Sequence, residues 1–398
     1  MTVSQIDSLL KKGVARIIDE SHLRERLERG DKLKIKLGID PSGTVIHLGH
    51  MVPILKLRQF QELGHEVTII IGDATGMIGD ASDKDSERPM LMREQTRANG
   101  KAFIEKFARV LDLSKVNIVY NSDWLDKVNF AGVGELAKNF SVAEMLDRDN
   151  FSKRYKAGVR ISLQEFLYPL MQGYDSVALH TDVELGGTEQ YFNLLAGRRL
   201  QEAFGQEKQD IMMFDLLVGS DGKKMSKTSP NSVAIDEAPQ SMYQKLISIK
   251  DELIVPYFEL TTDATLDEVA IIRERLKKGE HPNILKEELA QRIITMYHGK
   301  SYDPSDSSNV ESVFFDFELF PDEFSAIMND DGTVSVPISY LLKWLLFCST
   351  SGDVRNALAG KSVRVNGEVI EDPKYNVMIT NEGVLVEMGK KKAKRVTL

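Results

Sequence analysis

The sequence predicts an α/β protein built on a parallel sheet, followed by an α-helical domain and a small α+β domain. Three observations carry this prediction. Lys32–Ile39 (KLKIKLGI) alternates as a strand, Val52–Leu63 (VPILKLRQFQEL) has helical spacing, and Val67–Ile71 is a continuous apolar, β-branched run. Asp236–Lys300 is helical and charge-rich throughout, with amphipathic segments at Leu266–Lys278 and Ile284–Tyr297. From Pro337 the helical pattern resumes and gives way to a hairpin.

Along the chain, Met1–Arg29 reads as helix, with charges interleaved among Leu and Ile. The β–loop–α–β order of the next segment, with Gly64 stopping the helix, is the unit that builds a parallel sheet with right-handed crossovers. A continuous apolar run such as Val67–Ile71 fits a strand buried on both faces. In such a Rossmann-like sheet, ligands sit beyond the carboxyl ends of the strands, so the loops after Ile39 and Ile71 are the first places to search. Gln95–Leu111 reads as helix, Asn117–Tyr120 as strand, Ser162–Tyr174 as a helix rich in polar residues, and Ile211–Val218 as an apolar run before a Gly-Ser-Asp-Gly turn. Asp303–Asp331 holds nine acidic residues, five phenylalanines and no Lys or Arg, and reads as an acidic linker or packed-down connector. Leu341–Cys348 and Asp353–Ala359 are helical, and Ser362–Ile370 turns at Asn366-Gly367. No internal repeat is present. The expected boundaries are about 1–229 for the sheet domain, with an inserted segment over about 120–185, then about 230–330 and about 334–398.

Composition bounds the class. A chain of 398 residues, 42% hydrophobic and 28% charged, is not the mixture of a disordered chain. No apolar run approaches the roughly 20 residues of a membrane helix, and Met1–Arg16 lacks the pattern of a signal peptide. A single cysteine, Cys348, excludes a disulfide framework and a cysteine-based zinc site. These features point to the cytoplasm. The net charge of −9 argues at first against nucleic acid, but Val334–Leu398 carries ten Lys/Arg against six Asp/Glu. A basic end on an acidic body suits local contact with nucleic acid; a solvated lysine tail is the plainer alternative on charge alone.

Two constellations carry chemistry. The first runs Gly38-Ile39-Asp40-Pro41-Ser42-Gly43 and then His47-Leu48-Gly49-His50, where a strand ends and a helix begins. A helix N-terminus offers unpaired N–H groups and a positive dipole end to phosphate. Two imidazoles three residues apart lie on one face of the first turn and can donate to phosphate oxygens as charge develops. Gly49 leaves room for a nucleotide. The second is Gly222-Lys223-Lys224-Met225-Ser226-Lys227-Thr228, three lysines in a loop that can clamp a triphosphate and stabilise departing pyrophosphate. Alone, the first reads as surface histidines and the second as a solvated basic loop. Together they do complementary work on one ATP.

This pair resembles the HIGH and KMSKS elements of the class I aminoacyl-tRNA synthetases. The blocks Leu37–Ser42, Gln59–His65, Gly72–Asp80, Tyr168–Asp175 and Gly186–Gln190 are similar to the bacterial tyrosyl-tRNA synthetases in particular, and the similarity runs over essentially the whole chain. The resemblance implies activation of L-tyrosine by ATP, a substrate accompanied by Mg2+, to tyrosyl-adenylate, and then transfer to tRNA(Tyr). It implies no tightly bound cofactor and no metal site in the protein. His47 and His50 would stabilise the phosphate region, with Asp40, Ser42 and Gly49 also at the ATP. Lys224, Lys227 and Thr228 would grip pyrophosphate, and Lys84 and Arg88 would also face the phosphates. No general base or covalent nucleophile is required, because the substrate carboxylate attacks.

The same resemblance implies an amino acid pocket from Tyr168, Gln172 and Asp175, whose spacing puts them on one helix face. Tyr168, Gln172 and Asp80 would meet the ammonium, and Asp175 would accept the phenolic hydroxyl. Phenylalanine would leave Asp175 buried and unpaired, allowing discrimination on the order of 10⁴–10⁵. Gln190 would line the pocket and Thr75 would lie near the ligand's backbone atoms. From spacing alone, the polar stripe could equally face solvent or another helix.

Several positions depart from the family pattern: Lys36, expected among the tyrosine-binding residues, stands where some members have a substrate-contacting tyrosine, with Ala81 and Asp83 after Gly79-Asp80, Glu189 for the usual Asp, and Thr228 for the last Ser. The segment from about Pro337 to Asp372 resembles an S4-type RNA-binding module, and the Lys390–Arg395 tail adds charge that attracts phosphate. The resemblance also implies a homodimer joined around Phe130–Met145. The competing readings are a tryptophanyl-tRNA synthetase, against which the Tyr168–Gln172–Asp175 stripe and the S4-like tail stand, and a nucleotidylyltransferase or RNA-binding relative of the same fold.

Overall fold

The computed structural model describes residues 1–80, 91–223, 225, 231–303, 312–315, 326–329, 332–389 and 392–398. By contacts the chain forms two compact units, Met1–Glu237 with Lys245–Lys300, and Ala238–Gln244 with Ser301–Leu398. Among the described residues no helix is long and apolar enough to cross a membrane.

The first unit opens with α1 (Val3–Lys11), β1 (Arg16–Ile18) and α2 (Glu20–Arg29). The single helix expected over Met1–Arg29 is thus two helices divided by a strand. Gly13 at φ +65° and Asp19 at φ +69° occupy the left-handed region, which a continuous α-helix cannot contain. Between them, β-branched Ile17 and Ile18 pair antiparallel with Met212 and Ile211. Next come β2 (Lys34–Ile39), α3 (Leu48–Glu62) and β3 (Glu66–Ile71), the expected β–loop–α–β unit. β2 and β3 run parallel in register from Lys34↔Glu66 to Ile39↔Ile71. Gly64, at φ +88°, makes the turn between α3 and β3.

The chain continues through α4 (Thr75–Ile78), α5 (Arg93–Phe107), β4 (Val116–Tyr120), α6 (Ser122–Leu125), α7 (Phe130–Ala137), α8 (Val142–Asp147), α9 (Asp149–Lys156), α10 (Leu163–Leu179), β5 (Val183–Gly187), α11 (Tyr191–Ala203) and β6 (Asp210–Phe214). The six strands lie in the order β1-β6-β5-β2-β3-β4, all parallel except β1. From central β2 the chain builds outward to β3 and β4, then returns to build β5 and β6 on the other side. The order therefore reverses at the seam between β2 and β5, where helices on either side of the sheet diverge and leave a crevice. Val67, Ile69, Ile70 and Ile71 of β3 are all buried, as a strand covered on both faces requires.

Helices form where Asp236–Lys300 predicts them: α12 (Pro239–Ile247), α13 (Ile254–Thr261), α14 (Leu266–Lys277) and α15 (Pro282–His298). α13 packs on α3, and the buried Tyr257 hydroxyl donates to Val218 O at 2.8 Å.

The second unit contains β7 (Ser312–Phe314), β8 (Ile327–Met328), β9 (Val334–Pro337), α16 (Ile338–Trp344), α17 (Ser351–Ala359), β10 (Val363–Val365), β11 (Glu368–Val369), β12 (Asn376–Ile379), β13 (Val384–Met388) and β14 (Lys392–Thr397). Its sheets run β11-β10-β13-β14-β7 and β12-β9-β8. β10 and β11 form the expected hairpin, with Asn366 at φ +48° and Gly367 at φ +85° in the two-residue turn. Cys348 is a buried member of this unit's core with Leu341, Leu342, Val354 and Val386, as expected of a small core residue. Its α+β make-up matches an S4-like module. Most of the acidic 303–331 segment lies outside the described residues; within it, Phe315 is buried in the same core.

α10 carries the polar stripe and lies close against α11. A Cβ on Gly173 would stand 2.9 Å from the Ala196 carbonyl carbon and 3.0 Å from its oxygen, both rigid backbone atoms. Gly173→Ala is expected to cost about 1–3 kcal/mol by forcing the helices apart, measured as a lower midpoint of urea unfolding followed by circular dichroism. An unchanged midpoint would show that the two helices can separate freely.

Candidate active site

The crevice at the β2/β5 seam is a cleft of about 970 Å³. Its walls come from the carboxyl ends of three strands (Ile39 and Asp40, Gly72, Leu185–Gly187), the start of α3 and the inner face of α10. Of the residues singled out from the sequence, Asp40, Ser42, His47, Gly49, His50, Thr75, Asp80, Tyr168, Gln172, Asp175 and Gln190 all line it. Lys36 does not; it lies behind the wall and is treated below. Lys84, Arg88, Lys224, Lys227 and Thr228, with Ala81 and Asp83, lie outside the described residues.

His47 is the extended residue that caps α3 (φ −118°, ψ 170°), and His50 is the third residue of the helix. The pair is therefore a cap and a first-turn residue rather than two residues within the turn. His47 N–H donates to His50 Nδ1 at 3.2 Å, and the two rings lie 3.8 Å apart. With Nδ1 accepting, the neutral His50 ring carries its proton on Nε2, which makes that nitrogen a donor. Gly49 fits closely into this arrangement. A Cβ there would sit 3.1 Å from the His47 ring and 3.7 Å from Met225 Sδ.

Met225 brings the second motif to the first. It lines the same cleft. The roots of its loop are tied together: Ser220 N–H donates to Asn231 O at 3.0 Å, and Asn231 Nδ2 to Asp221 Oδ1 at 2.9 Å. The returning chain then clamps the start of α3, with Leu48 N–H donating to Val233 O and Ile235 N–H to Ile46 O, both at 3.0 Å.

The other end of the cleft is a hydrogen-bonded polar network. Asp40 accepts from Thr75 Oγ1 and from the Tyr168 hydroxyl, each at 2.8 Å. Gly72 makes this possible, since a Cβ there would stand 2.1 Å from Asp40 Oδ1 and 2.3 Å from Thr75 Oγ1. Burial, reinforced by the carboxylates Asp40, Asp80 and Asp175, pushes the Tyr168 phenol well above its usual range, so it stays a donor. Asp80 accepts from Gln190 Nε2 at 2.6 Å. Gln172, expected near the substrate ammonium, turns its amide to Glu184 Oε1 at 3.1 Å. The Glu189 carboxylate lies against Gly187, where a Cβ would come within 2.1 Å of its oxygen.

Asp175 is buried at the cleft floor. It accepts from Trp124 Nε1 at 2.8 Å and from Asn121 Nδ2 at 3.4 Å, and Asn121 Nδ2 also lies 3.0 Å from Thr75 Oγ1. Burial pushes the carboxyl up to about 7, opposed by the Lys36 cation and by the hydrogen bonds from Trp124 and Asn121. Asn121, Trp124 and Glu184 were not singled out from the sequence. Asn121 directly follows the predicted strand 117–120, at the carboxyl-end position where ligands gather, and that signal could have found it.

A parallel-sheet crevice combining a histidine-capped helix start with a buried polar pocket defines the class, and a family model agrees. The model described as tRNA synthetases class I (W and Y) matches residues 28–314, and the chain belongs to that family. Curated relatives take it to the tyrosine side of the family. The tyrosine–tRNA ligase of Oleidesulfovibrio alaskensis is 43% identical over all of this chain and 99% of its own length. That of Moorella thermoacetica is 44% identical over 98% of this chain and 94% of its own. Among solved structures, the Archaeoglobus fulgidus tyrosyl-tRNA synthetase complexed with L-tyrosine superposes with a TM-score of 0.61. It shares 20% identity and covers 74% of this chain and 97% of its own, and so shows the shared fold.

The raised Asp175 has a consequence for stability. The native carboxyl holds its proton up to about pH 7, whereas the unfolded one releases it near 3.8. Over that window the unfolded state binds fewer protons, so the fold loses stability as pH rises, at a limit of about 1.4 kcal/mol per pH unit. Asp175→Asn, which cannot ionise, is expected to gain on the wild type by more than about 1 kcal/mol between pH 5 and pH 8, read from urea unfolding without ligand. A difference independent of pH would contradict the assignment.

Proposed function

We propose that this chain is a tyrosine–tRNA ligase in action as well as in family. It activates L-tyrosine with ATP to tyrosyl-adenylate and pyrophosphate, then transfers the tyrosyl group to the 3′ end of tRNA(Tyr). The observation that carries the reading is the cleft itself. A buried carboxylate acceptor, Asp175, lies at its floor, and a helix start bearing His47 and His50 lies in its wall. The first suits a phenolic hydroxyl and the second suits phosphate.

In this reading the phenol donates to Asp175, and the ammonium meets the Asp80–Gln190 and Tyr168–Asp40 pairs, with Thr75 and Gln172 beside it. The substrate carboxylate attacks the α-phosphorus of an ATP accompanied by Mg2+ through its phosphates. Charge developing on phosphate oxygens is met by the α3 N-terminus, His47 and His50, beside Ser42 and Gly49. Lys224, Lys227 and Thr228, with Lys84 and Arg88, hold the departing pyrophosphate. Every contribution is positioning or charge stabilisation. Lys392, Lys394 and Arg395 of β14 offer the basic end to tRNA. A homodimer is joined through α7 and α8, where Phe130 is 94% and Val142 66% exposed, an apolar surface that association would cover. The enzyme works in the cytoplasm, a setting that the single cysteine suits.

Pyrophosphate exchange into ATP, run with each of the twenty amino acids, tests this. Tyrosine alone is expected to support rapid exchange. Exchange with tryptophan instead, or with no amino acid, would sink the reading. Asp175→Asn is expected to lower tyrosine-over-phenylalanine selectivity in kcat/KM by at least tenfold; unchanged selectivity would move the hydroxyl site elsewhere.

A further inference from the structure

Behind the cleft floor lies a second layer of charge. Lys36 of β2 and Glu184 of β5 stand directly opposite each other in the parallel register, at the seam where the strand order reverses. Lys36 Nζ lies 3.1 Å from Glu184 Oε1, and each side chain is only 2% exposed. Neither residue lines the cleft. A buried ion pair is costly unless its remaining donors and acceptors are also met, and here they are met by the pocket helix. Lys36 Nζ donates to the Gln172 carbonyl at 3.2 Å, and Gln172 Nε2 donates to Glu184 Oε1 at 3.1 Å. Ser176 Oγ donates to Glu184 Oε2 at 3.3 Å, and Gln209 Nε2 donates to the same oxygen. Space for this cluster depends on Gly197, where a Cβ would stand 2.7 Å from Ser176 Oγ and 3.1 Å from Glu184 Oε2. The pair thus grips α10 at Gln172 and Ser176, on both sides of Asp175.

We propose that the Lys36–Glu184 pair is a specificity-determining positioning device: it holds the Gln172–Ser176 turn and supplies a buried cation that favours the ionised form of Asp175 as acceptor for the phenolic hydroxyl. Lys36 takes this role from behind the cleft wall. The inference rests on the tyrosine reading of the cleft given above. The charged and titratable groups around Asp175 are Lys36 from β2, Glu184 from β5 and Tyr168 from its own helix; Asn121 and Trp124 approach from the other side as neutral donors. Lys36 favours the Asp175 carboxylate, while Glu184 and burial oppose it. An ionised carboxylate is the stronger acceptor, so tyrosine selection depends on the balance of these charges.

The test is the pH profile of tyrosine and phenylalanine dissociation constants, measured by equilibrium dialysis on the full chain. For the wild type, tyrosine binding is expected to weaken as pH falls through about 7, where the floor carboxyl takes up its proton, with phenylalanine binding flat. Lys36→Met removes the favourable cation and is expected to move the midpoint up by about one pH unit, a roughly tenfold change in proton affinity. At pH 7.5 tyrosine then loses several-fold in affinity and phenylalanine does not. Glu184→Gln removes the like charge and is expected to move the midpoint down. Lys36→Arg retains the charge and is expected to keep the wild-type midpoint, which covers the case in which Lys36→Met does not fold. Midpoints that stay fixed, or that move in the same direction in Lys36→Met and Glu184→Gln, overturn the proposal, because a merely structural pair would weaken both ligands without opposed shifts. Fixed midpoints with intact tyrosine-dependent pyrophosphate exchange defeat this inference alone. Absence of that exchange in the wild type defeats it together with the functional reading.

Discussion

A helix that turns Tyr168, Gln172 and Asp175 inward can be packed only if every one of those polar groups finds a partner, because an unpaired buried carboxylate or amide costs more than most single contacts return. That constraint organises the first unit. Tyr168 is met by Asp40 at the end of β2, Gln172 by Glu184 on β5, and Asp175 by Trp124 and Asn121 after β4. Three different strands or strand ends therefore serve one helix face. Among the described residues, neutral donors and the Lys36 cation behind the cleft wall face Asp175, and burial still raises it to about 7. In the proposed reading, the substrate's phenolic hydroxyl adds a further donor to these two neutral ones.

Glycine sets how closely these groups converge. Gly72 leaves the volume in which Asp40 and Thr75 meet, Gly173 lets α10 lie against the backbone of α11, and Gly197 leaves room for Ser176, Gln209 and Glu184. None of these positions needs a left-handed backbone; each needs the absence of a side chain. Interiors packed to crystal density have no slack to absorb even one methyl group at such points. The glycines thus belong to the site as much as the polar residues do, although none of the three carries a functional group.

The end of the cleft that carries His47 and His50 is governed by chain connection. The segment after the lysine-bearing loop returns as Val233–Ile235 and hydrogen-bonds Ile46 and Leu48 on either side of His47. Met225, roughly 175 residues further along the chain, reaches the cleft beside Gly49. A displacement of Val233–Ile235 would be felt at the helix start that carries the imidazoles, through these backbone hydrogen bonds.

The sequence by itself determined the parallel β–α–β core, the hairpin at Asn366-Gly367, the histidine and lysine motifs, and the residue types along one face of α10. Periodicity and turn chemistry are local, and each of these features is written in a window of a dozen residues or fewer. It did not show that Met1–Arg29 breaks into two helices around a strand, since Ile17 and Ile18 become a strand only by pairing with β6, nearly two hundred residues away. Nor did it decide which way the polar stripe faces, or that Lys36 lies behind the cleft rather than in it. Lys36 is committed by Glu184, its register partner across the seam, and that partnership exists only once β5 has been laid beside β2. Local sequence supplied the chemistry of the site; the reversal of strand order placed one layer of it on the cleft wall and the other beneath.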